Sequence, residues 1–433
     1  MQALLTFGSA VILVAVLTLL RVSADETDAS RGQLVSRGLE VLVELQENLD
    51  DEKAAAREWP YEGVYRDRKT RQIPLGYRVG GTAISTWALI ESKDWTQHEA
   101  RRAAVNRSLD FLFESLDKVG MSEFGVELYD VRSWGLCYAL TLFTRLEAQT
   151  RVDAATLSKE RLEKIQKSTR ELVRRLSALE IRGTGGWHYS QRGMAPATFL
   201  TASVLLSFYR ARDLGYEVDA QVVKRALDSL RDARLHTGAF QYASRPRQKT
   251  GRSIEAVPGS VGRMPVCEVA LHLAGRSEPR RIEKSLVAFF DHWKWLERRR
   301  KKNGTHQPPY MIAPYYFFYA HLYAAKAIEF LPQSRRDHYR EKLFDLLKQV
   351  KDKDGTWNDR VFPRSRAFGT AASVLALLEP DLPRAPKWAP KPESPPAPKG
   401  GPAAPGPAPA KPDPTSKPDA VKSESVKSEP SAR

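Results

Sequence analysis

Glu268 and His272 stand four residues apart in an apolar run. On a helix that spacing lets a carboxylate orient an imidazole, and such a pair can move a proton. They form the candidate acid/base pair. His188 is the second candidate, because it follows Trp187 in a Gly-rich turn where an imidazole is accessible as acid, base or ligand. Each has a structural alternative: intrahelical stabilisation for Glu268 and His272, a local turn hydrogen bond for His188. His321 lies inside an apolar segment and reads as a satisfied core histidine. A glycosidase needs two carboxylates about 5 to 10 Å apart. Asp130, Glu268 and Asp359 are the candidates, and their spacing does not say which of them face each other.

Aromatic residues crowd one segment: Tyr310, Tyr315, Tyr316, Phe317, Phe318 and Tyr319. Ring faces of this density stabilise cations, but consecutive helical residues cannot all face one cavity, so at least half are expected in a plain core. Further binding candidates sit in turns that enter apolar helices or at polar positions within them. These are Trp87, Asp130, Trp134, Tyr189, Tyr242, Trp357 and Asp359. Cys267 and His272 are five apart, which on a helix is a rotation of about 140° and puts them on different faces. No metal set and no cofactor is therefore expected.

These residues are positioned by a repeat. A Gly-rich turn with an aromatic is followed by a small-residue apolar helix, as in Gly186-Trp187-His188-Tyr189 with Thr201-Ala202-Ser203-Val204 and Gly355-Thr356-Trp357-Asn358 with Thr370-Ala371-Ala372-Ser373. A third helix, from Gly81, has a degenerate turn, and Gly238-Ala239-Phe240-Gln241-Tyr242 keeps the turn before a basic insertion. Amphipathic segments begin near Gln33, His98, Ala154, Asp219, Glu278 and Arg335. Nearly apolar ones begin near Gly81, Val131, Ala195, Val261, Pro314 and Ala367. A helix apolar all round must be buried, and one with an apolar stripe must cover it. The alternation predicts six inner helices walled by six outer ones, an all-α body without strands.

The ends differ from this body. Leu4 to Leu20 carries no charge, and Val22-Ser23-Ala24 precedes Asp25, as a small-residue cleavage site does. Residues 1–24 are thus expected to be a signal peptide or an uncleaved anchor, and either places the body outside the cytoplasm, periplasmic or secreted. Residues 25–380 form the body. Residues 381–433 are rich in Pro, Ala, Lys, Ser and Glu and are expected to be disordered. Two cysteines, Cys137 and Cys267, lie in apolar runs and are expected as buried thiols. The net charge of +16 is spread widely and reads first as solvated loops and helix ends; as a partner signal in an exported chain it points to anionic lipid head groups, cell-wall polymers or acidic glycans at a membrane or wall surface, not to nucleic acid.

Gln349, then five residues, Gly355, one residue and Trp357 resembles the end of the QW motif of squalene-hopene and oxidosqualene cyclases. The resemblance implies the α/α toroid of terpenoid cyclases and protein prenyltransferases over about Gln33 to Pro380. It also implies that Gln349 satisfies backbone groups at a helix end while the Trp357 ring packs over the turn. The Asp-x-Asp-Asp acid cluster of those cyclases, the Asp/Cys/His zinc set of prenyltransferases and the Gly-Cys-Gly-Glu-Gln of thioester domains do not occur. The reading is a binding or scaffolding toroid of the cell envelope, taking a lipid, isoprenoid or polyanionic glycan. The alternative is a divergent enzyme acting on an isoprenoid, lipid or polysaccharide in the toroid cavity.

Overall fold

Apart from Arg78, residues Leu75–Ile90 carry only apolar or small polar side chains and Tyr77, and all but Leu75 are buried. A helix of that kind needs neighbours on every side. The computed structural model describes residues 29–67, 70–124, 131–189, 195–243 and 252–389. In it this helix, α2, is one of six such segments. The others are α4 (Arg132–Val152), α6 (Thr198–Asp213), α9 (Met264–Leu273), α11 (Tyr316–Ile328) and α13 (Ser365–Leu378). Between them run helices with a single buried stripe: α1 (29–44), α3 (Glu99–Leu116), α5 (Lys159–Ala178), α7 (Ala220–Asp232), α10 (Pro279–Glu297) and α12 (Gln333–Val350). In α10 the stripe is Ile282, Ser285, Leu286, Phe289 and Leu296. A single turn, α8 (Val257–Ser260), precedes α9.

The apolar helices meet in sequence order: α2 packs on α4, α4 on α6, α6 on α9, α9 on α11 and α11 on α13, and α13 returns to α2. The ring closes. Outside it α3 covers α2, α5 covers α4, α7 covers α6, α10 covers α9 and α12 covers α11. α1 lies on α13, where Gly38 meets Val374 and the Arg31 guanidinium donates to the Leu377 carbonyl at 3.0 Å. The fold is an α/α toroid, and among the described residues β pairing is confined to isolated bridges.

Each repeat is fastened in the same way. The backbone N–H of Trp187 donates to the Thr201 hydroxyl at 3.1 Å, and the Trp187 indole donates to the carbonyl of Leu176 at the end of α5 at 2.6 Å. Trp357 does the same with Thr370 at 3.1 Å and with Leu347 of α12 at 2.8 Å. One indole thus satisfies an orphan carbonyl of the preceding outer helix while its backbone docks on the next inner helix. Trp59 makes the same contacts, to Thr82 at 2.9 Å and to Leu42 of α1 at 2.7 Å. The turn before α2 is therefore not degenerate. It lies farther upstream, 23 residues before its threonine instead of 14 or 13. In the fourth copy Phe240 keeps only the backbone bond, to Ser260 at 2.9 Å.

Two glycines make the approach feasible: a Cβ at Gly81 would lie 2.3 Å from the Trp59 carbonyl oxygen, and one at Gly369 2.2 Å from that of Trp357. Gln349 plays no part in this. It is exposed, and the helix end it was expected to satisfy is served by the indole of Trp357.

Residues 381–389, expected to begin the disordered tail, run from the end of α13 to the ends of α9 and α6. The Leu382 amide donates to Glu379, and the Trp388 amide donates to the Leu273 carbonyl at 2.9 Å. The Trp388 ring lies 5.6 Å from that of Tyr209 and under the Arg212 guanidinium at 4.4 Å. The expected leader and the remainder of the tail fall outside the described residues.

Candidate functional site

Because the inner helices are parallel, their axial faces stack into three layers. At the N-terminal mouth, Tyr61, Tyr77, Trp134, Tyr189, Phe199 and Tyr315 wall a cavity of about 50 Å³, with Val131, Tyr319 and Phe368 completing it. Below it hydroxyls meet between inner helices. Ser203 of α6 bonds the Tyr319 hydroxyl of α11 at 3.0 Å, and Ser207 bonds Thr141 of α4 at 2.7 Å. At the base, where the inner helices end, charged groups replace them. Arg145 grips Glu91 through two bonds of 2.6 and 2.7 Å, and Lys326 donates to Glu379 at 2.7 Å.

The mouth is built by the residue two positions after each fastening aromatic. Trp59 is followed by Tyr61, Trp187 by Tyr189, Phe240 by Tyr242 and Trp357 by Asp359. The Tyr61 hydroxyl donates to Asp359 Oδ2 at 3.0 Å and accepts from Arg360 Nε at 2.9 Å. Asp359 is fully buried and its Oδ1 has no partner. Burial pushes its carboxyl up to about 7, against the opposing pull of Arg360 and the Tyr61 hydrogen bond. A second chain joins Tyr242, Tyr315 and His306. His306 Nδ1 lies 2.6 Å from the Met311 carbonyl and must donate to it, so the neutral ring accepts the Tyr315 hydroxyl at Nε2, 3.1 Å away. The Tyr242 hydroxyl lies 3.3 Å from that of Tyr315. Burial lowers the His306 pKa, and repulsion from Arg263, Arg360 and Arg299 lowers it further.

Those three arginines define the electrostatics. Arg263, fully buried, donates to the carbonyls of Phe240, Gly259 and Ile254. Arg299 donates to the Ile312, Asn303 and Thr305 carbonyls and to the Gln307 side chain. Arg360 donates to Tyr61 and to the Gly304 carbonyl. Thirty ion pairs join other residues of the body, yet none of these three guanidiniums takes a carboxylate within 4.0 Å among the described residues. The Asp359 carboxyl beside Arg360 is pushed up to about 7 by burial.

The other candidates separate. Trp134 lines the cavity, 5.9 Å from the Tyr61 ring, and His188 is half-buried beside Tyr189 at 4.4 Å. Tyr316 is buried behind Tyr315. Trp87 belongs to the base, where its indole donates to Glu91 at 2.6 Å. Tyr310 packs on Trp295 of α10, away from the axis. Trp357, expected at the cavity, is fully buried as a fastening. Asp130 lies outside the described residues.

Glu268 and His272 do not form the expected pair. Glu268 accepts from Arg234 at 2.7 Å and from the Ser277 hydroxyl, in a groove between α9 and α10, while His272 Nδ1 meets the Ser277 carbonyl at 3.0 Å. The loop after α9 outcompetes the intrahelical contact for both side chains. Cys267 faces the Thr198 carbonyl of α6 instead, and both cysteines are free and buried. His321 is a core histidine, held by the Phe317 carbonyl at 2.7 Å and the Trp293 indole at 2.9 Å. Among the described residues no group of three His, Cys, Asp or Glu side chains could hold a metal ion.

No family model and no curated protein matches the chain. Solved structures do. The type II terpene cyclase MstE from Scytonema is 13% identical with a TM-score of 0.45, over 81% of this chain and 98% of that one. The GH76A α-1,6-mannanase from Salegentibacter is 11% identical with a TM-score of 0.48, over 81% and 99%. Cellobiose 2-epimerase from Bacillus thermoamylovorans is 12% identical with a TM-score of 0.44, over 79% and 99%. The ring itself rests on this chain's own helix contacts, and its chemistry on the mouth.

Tyr61, Tyr77, Phe199, Arg263, His306 and Arg360 are among the mouth residues that the sequence analysis did not single out. Tyr61 was findable: it follows Trp59 at the same offset as Tyr189 follows Trp187.

Proposed function

We propose that this chain is an exported, non-catalytic binding and scaffolding toroid of the cell envelope, whose mouth takes the anionic groups of a glycan lying across it. The observation that carries the reading is the cavity of about 50 Å³. Pockets that enclose a small-molecule ligand are roughly 300 to 1,000 Å³, so this cavity, as the described residues shape it, has no room for a prenyl chain or a sugar ring. What the mouth does offer is tyrosine rings beside the guanidiniums of Arg299 and Arg360, which take no carboxylate among the described residues, with Arg263 buried behind them. Tyrosines suit the face of a sugar ring, and guanidiniums suit its carboxylate, sulfate or phosphate groups. The basic composition and the apolar leader in the sequence support an envelope setting.

One observation favours the enzyme alternative: Asp359, buried, with one oxygen unpartnered and a pKa near 7, has the form of a general acid. A glycosidase would need a second carboxylate across the site, and Glu268 is held by Arg234 away from the axis.

The two readings part on binding and turnover. Retention of a soluble polyanionic glycan by the purified protein, weakened at least tenfold by Arg360→Met, supports the binding toroid. Preference for anionic phospholipid vesicles over the glycan moves the partner to a lipid surface. Turnover of an isoprenoid or polysaccharide substrate that Asp359→Asn abolishes overturns the non-catalytic reading.

A further inference from the structure

Asn303-Gly304 is the chain's single Asn-Gly step, and it lies on the loop between α10 and α11. Asn303 is exposed, and Gly304 holds the left-handed backbone at φ 78°. Both carbonyls of the step are gripped by arginines of the mouth. Arg299 donates to the Asn303 oxygen at 3.0 Å, and Arg360 donates to the Gly304 oxygen at 3.2 Å. Further bonds from Arg299 to the Thr305 and Ile312 carbonyls fix its guanidinium in the loop. Among the described residues neither the Asn303 carboxamide nor the Gly304 N–H makes a hydrogen bond. A carboxamide thus stands next to an unengaged backbone nitrogen whose residue has no Cβ to obstruct their meeting.

The carbonyl that Arg299 grips is conjugated to the Gly304 nitrogen. When that nitrogen gives its proton to water, the negative charge spreads onto the Asn303 oxygen, where a guanidinium hydrogen bond stabilises it. We propose that Asn303 is a self-modifying site, at which Arg299 promotes deamidation of the side chain. The Gly304 nitrogen attacks Asn303 Cγ. The new N–Cγ bond forms as the Cγ–Nδ2 bond breaks, and Nδ2 leaves as ammonia, carrying a proton that water returns in place of the one taken from Gly304. Water then opens the five-membered imide at either carbonyl, so that residue 303 becomes aspartate or isoaspartate. The product puts a negative charge on the residue that Arg299 holds, beside a mouth whose arginines take no carboxylate among the described residues, and so lowers the attraction of the mouth for anions. That consequence rests on the anionic-glycan reading of the mouth, whereas the modification itself does not.

The test is a time course of the full chain at neutral pH, with aspartate and isoaspartate at position 303 read by peptide mass spectrometry. Deamidation is expected at least threefold faster in the folded chain than in the same chain unfolded in urea, and at least threefold slower in folded Arg299→Met than in the folded wild type. The comparison with urea needs no variant, so it decides even where Arg299→Met does not fold. A folded chain that deamidates no faster than the unfolded one, or a folded Arg299→Met at the wild-type rate, overturns the proposal. Retention of a soluble polyanionic glycan separates the modification from its consequence. Asn303→Asp should weaken it at least threefold, and equal retention by this variant overturns the effect on the mouth. A wild-type chain that deamidates as expected but retains no glycan overturns the glycan reading and leaves the modification standing.

Discussion

The backbone amide of Trp357 donates to the hydroxyl of Thr370 across 3.1 Å, and the same bond, at the same distance, joins Trp187 to Thr201 half the ring away. With Trp59 and Thr82 at 2.9 Å, three tryptophans tie outer helix, turn and inner helix together. Replacing any one threonine by valine keeps the shape and leaves a buried N–H without an acceptor. Each of Thr82→Val, Thr201→Val and Thr370→Val should therefore destabilise the protein by about 1 to 3 kcal/mol. The sites share no partners, so urea denaturation of the double variants should show near-additive losses. A loss at one site only would mean that the fastenings are not equivalent.

Asp359 makes stability depend on pH. Its folded pKa of about 7 lies above the ordinary 3.8, so the folded chain keeps a proton that the unfolded chain releases. The contribution is fully present below about pH 4 and is lost as the pH rises to about 7. Asp359→Asn removes this dependence. At about 1.4 kcal/mol per pH unit, the variant should gain on the wild type by as much as ~4 kcal/mol across that window. Thermal melts from pH 4 to 8 would show it, and parallel curves for the two proteins would place the proton elsewhere.

The Lys326–Glu379 pair is buried, and neither member has another ionic partner among the described residues. Glu379→Gln strands the ammonium and should cost about 3 to 5 kcal/mol. Lys326→Met together with Glu379→Leu removes both charges and should recover most of the loss. Equilibrium unfolding of the three variants decides it, and an additive double variant would contradict the coupling.

Trp388 gives the end of the body a measurable position. Chains ending at Ala389 should resist proteolysis at 381–388 and melt higher than chains ending at Pro380, by the packing of one half-buried indole, on the order of 1 to 2 kcal/mol. Trp388→Ala in the longer chain should behave like the shorter one.

How much of this was legible in the sequence follows from what each feature depends on. The twelve helices were readable because burial all round and burial on one stripe leave different patterns in a single segment, as Leu75–Ile90 and Pro279–Glu297 show. The fastening was half readable: Trp187 and Trp357 announced themselves by similar spacing to a threonine, whereas Trp59 serves the same role from 23 residues away and is found only in three dimensions. The mouth was less readable still. Tyr189, Tyr242 and Asp359 follow their turns into the mouth, but Tyr61, the partner that bonds Asp359, comes from the far end of the chain, 298 residues away. Glu268 and His272 misled because four-residue spacing signals a contact only when nothing nearer competes, and Arg234 and Ser277 do.

The account stands most directly on what the mouth holds in its own setting. Native mass spectrometry of the protein gently released from its envelope should find one anionic glycan fragment per chain, absent from Arg360→Met. A protein that is empty in repeated preparations, or that carries a prenyl or acyl ligand for which the described cavity of about 50 Å³ has no room, would contradict it.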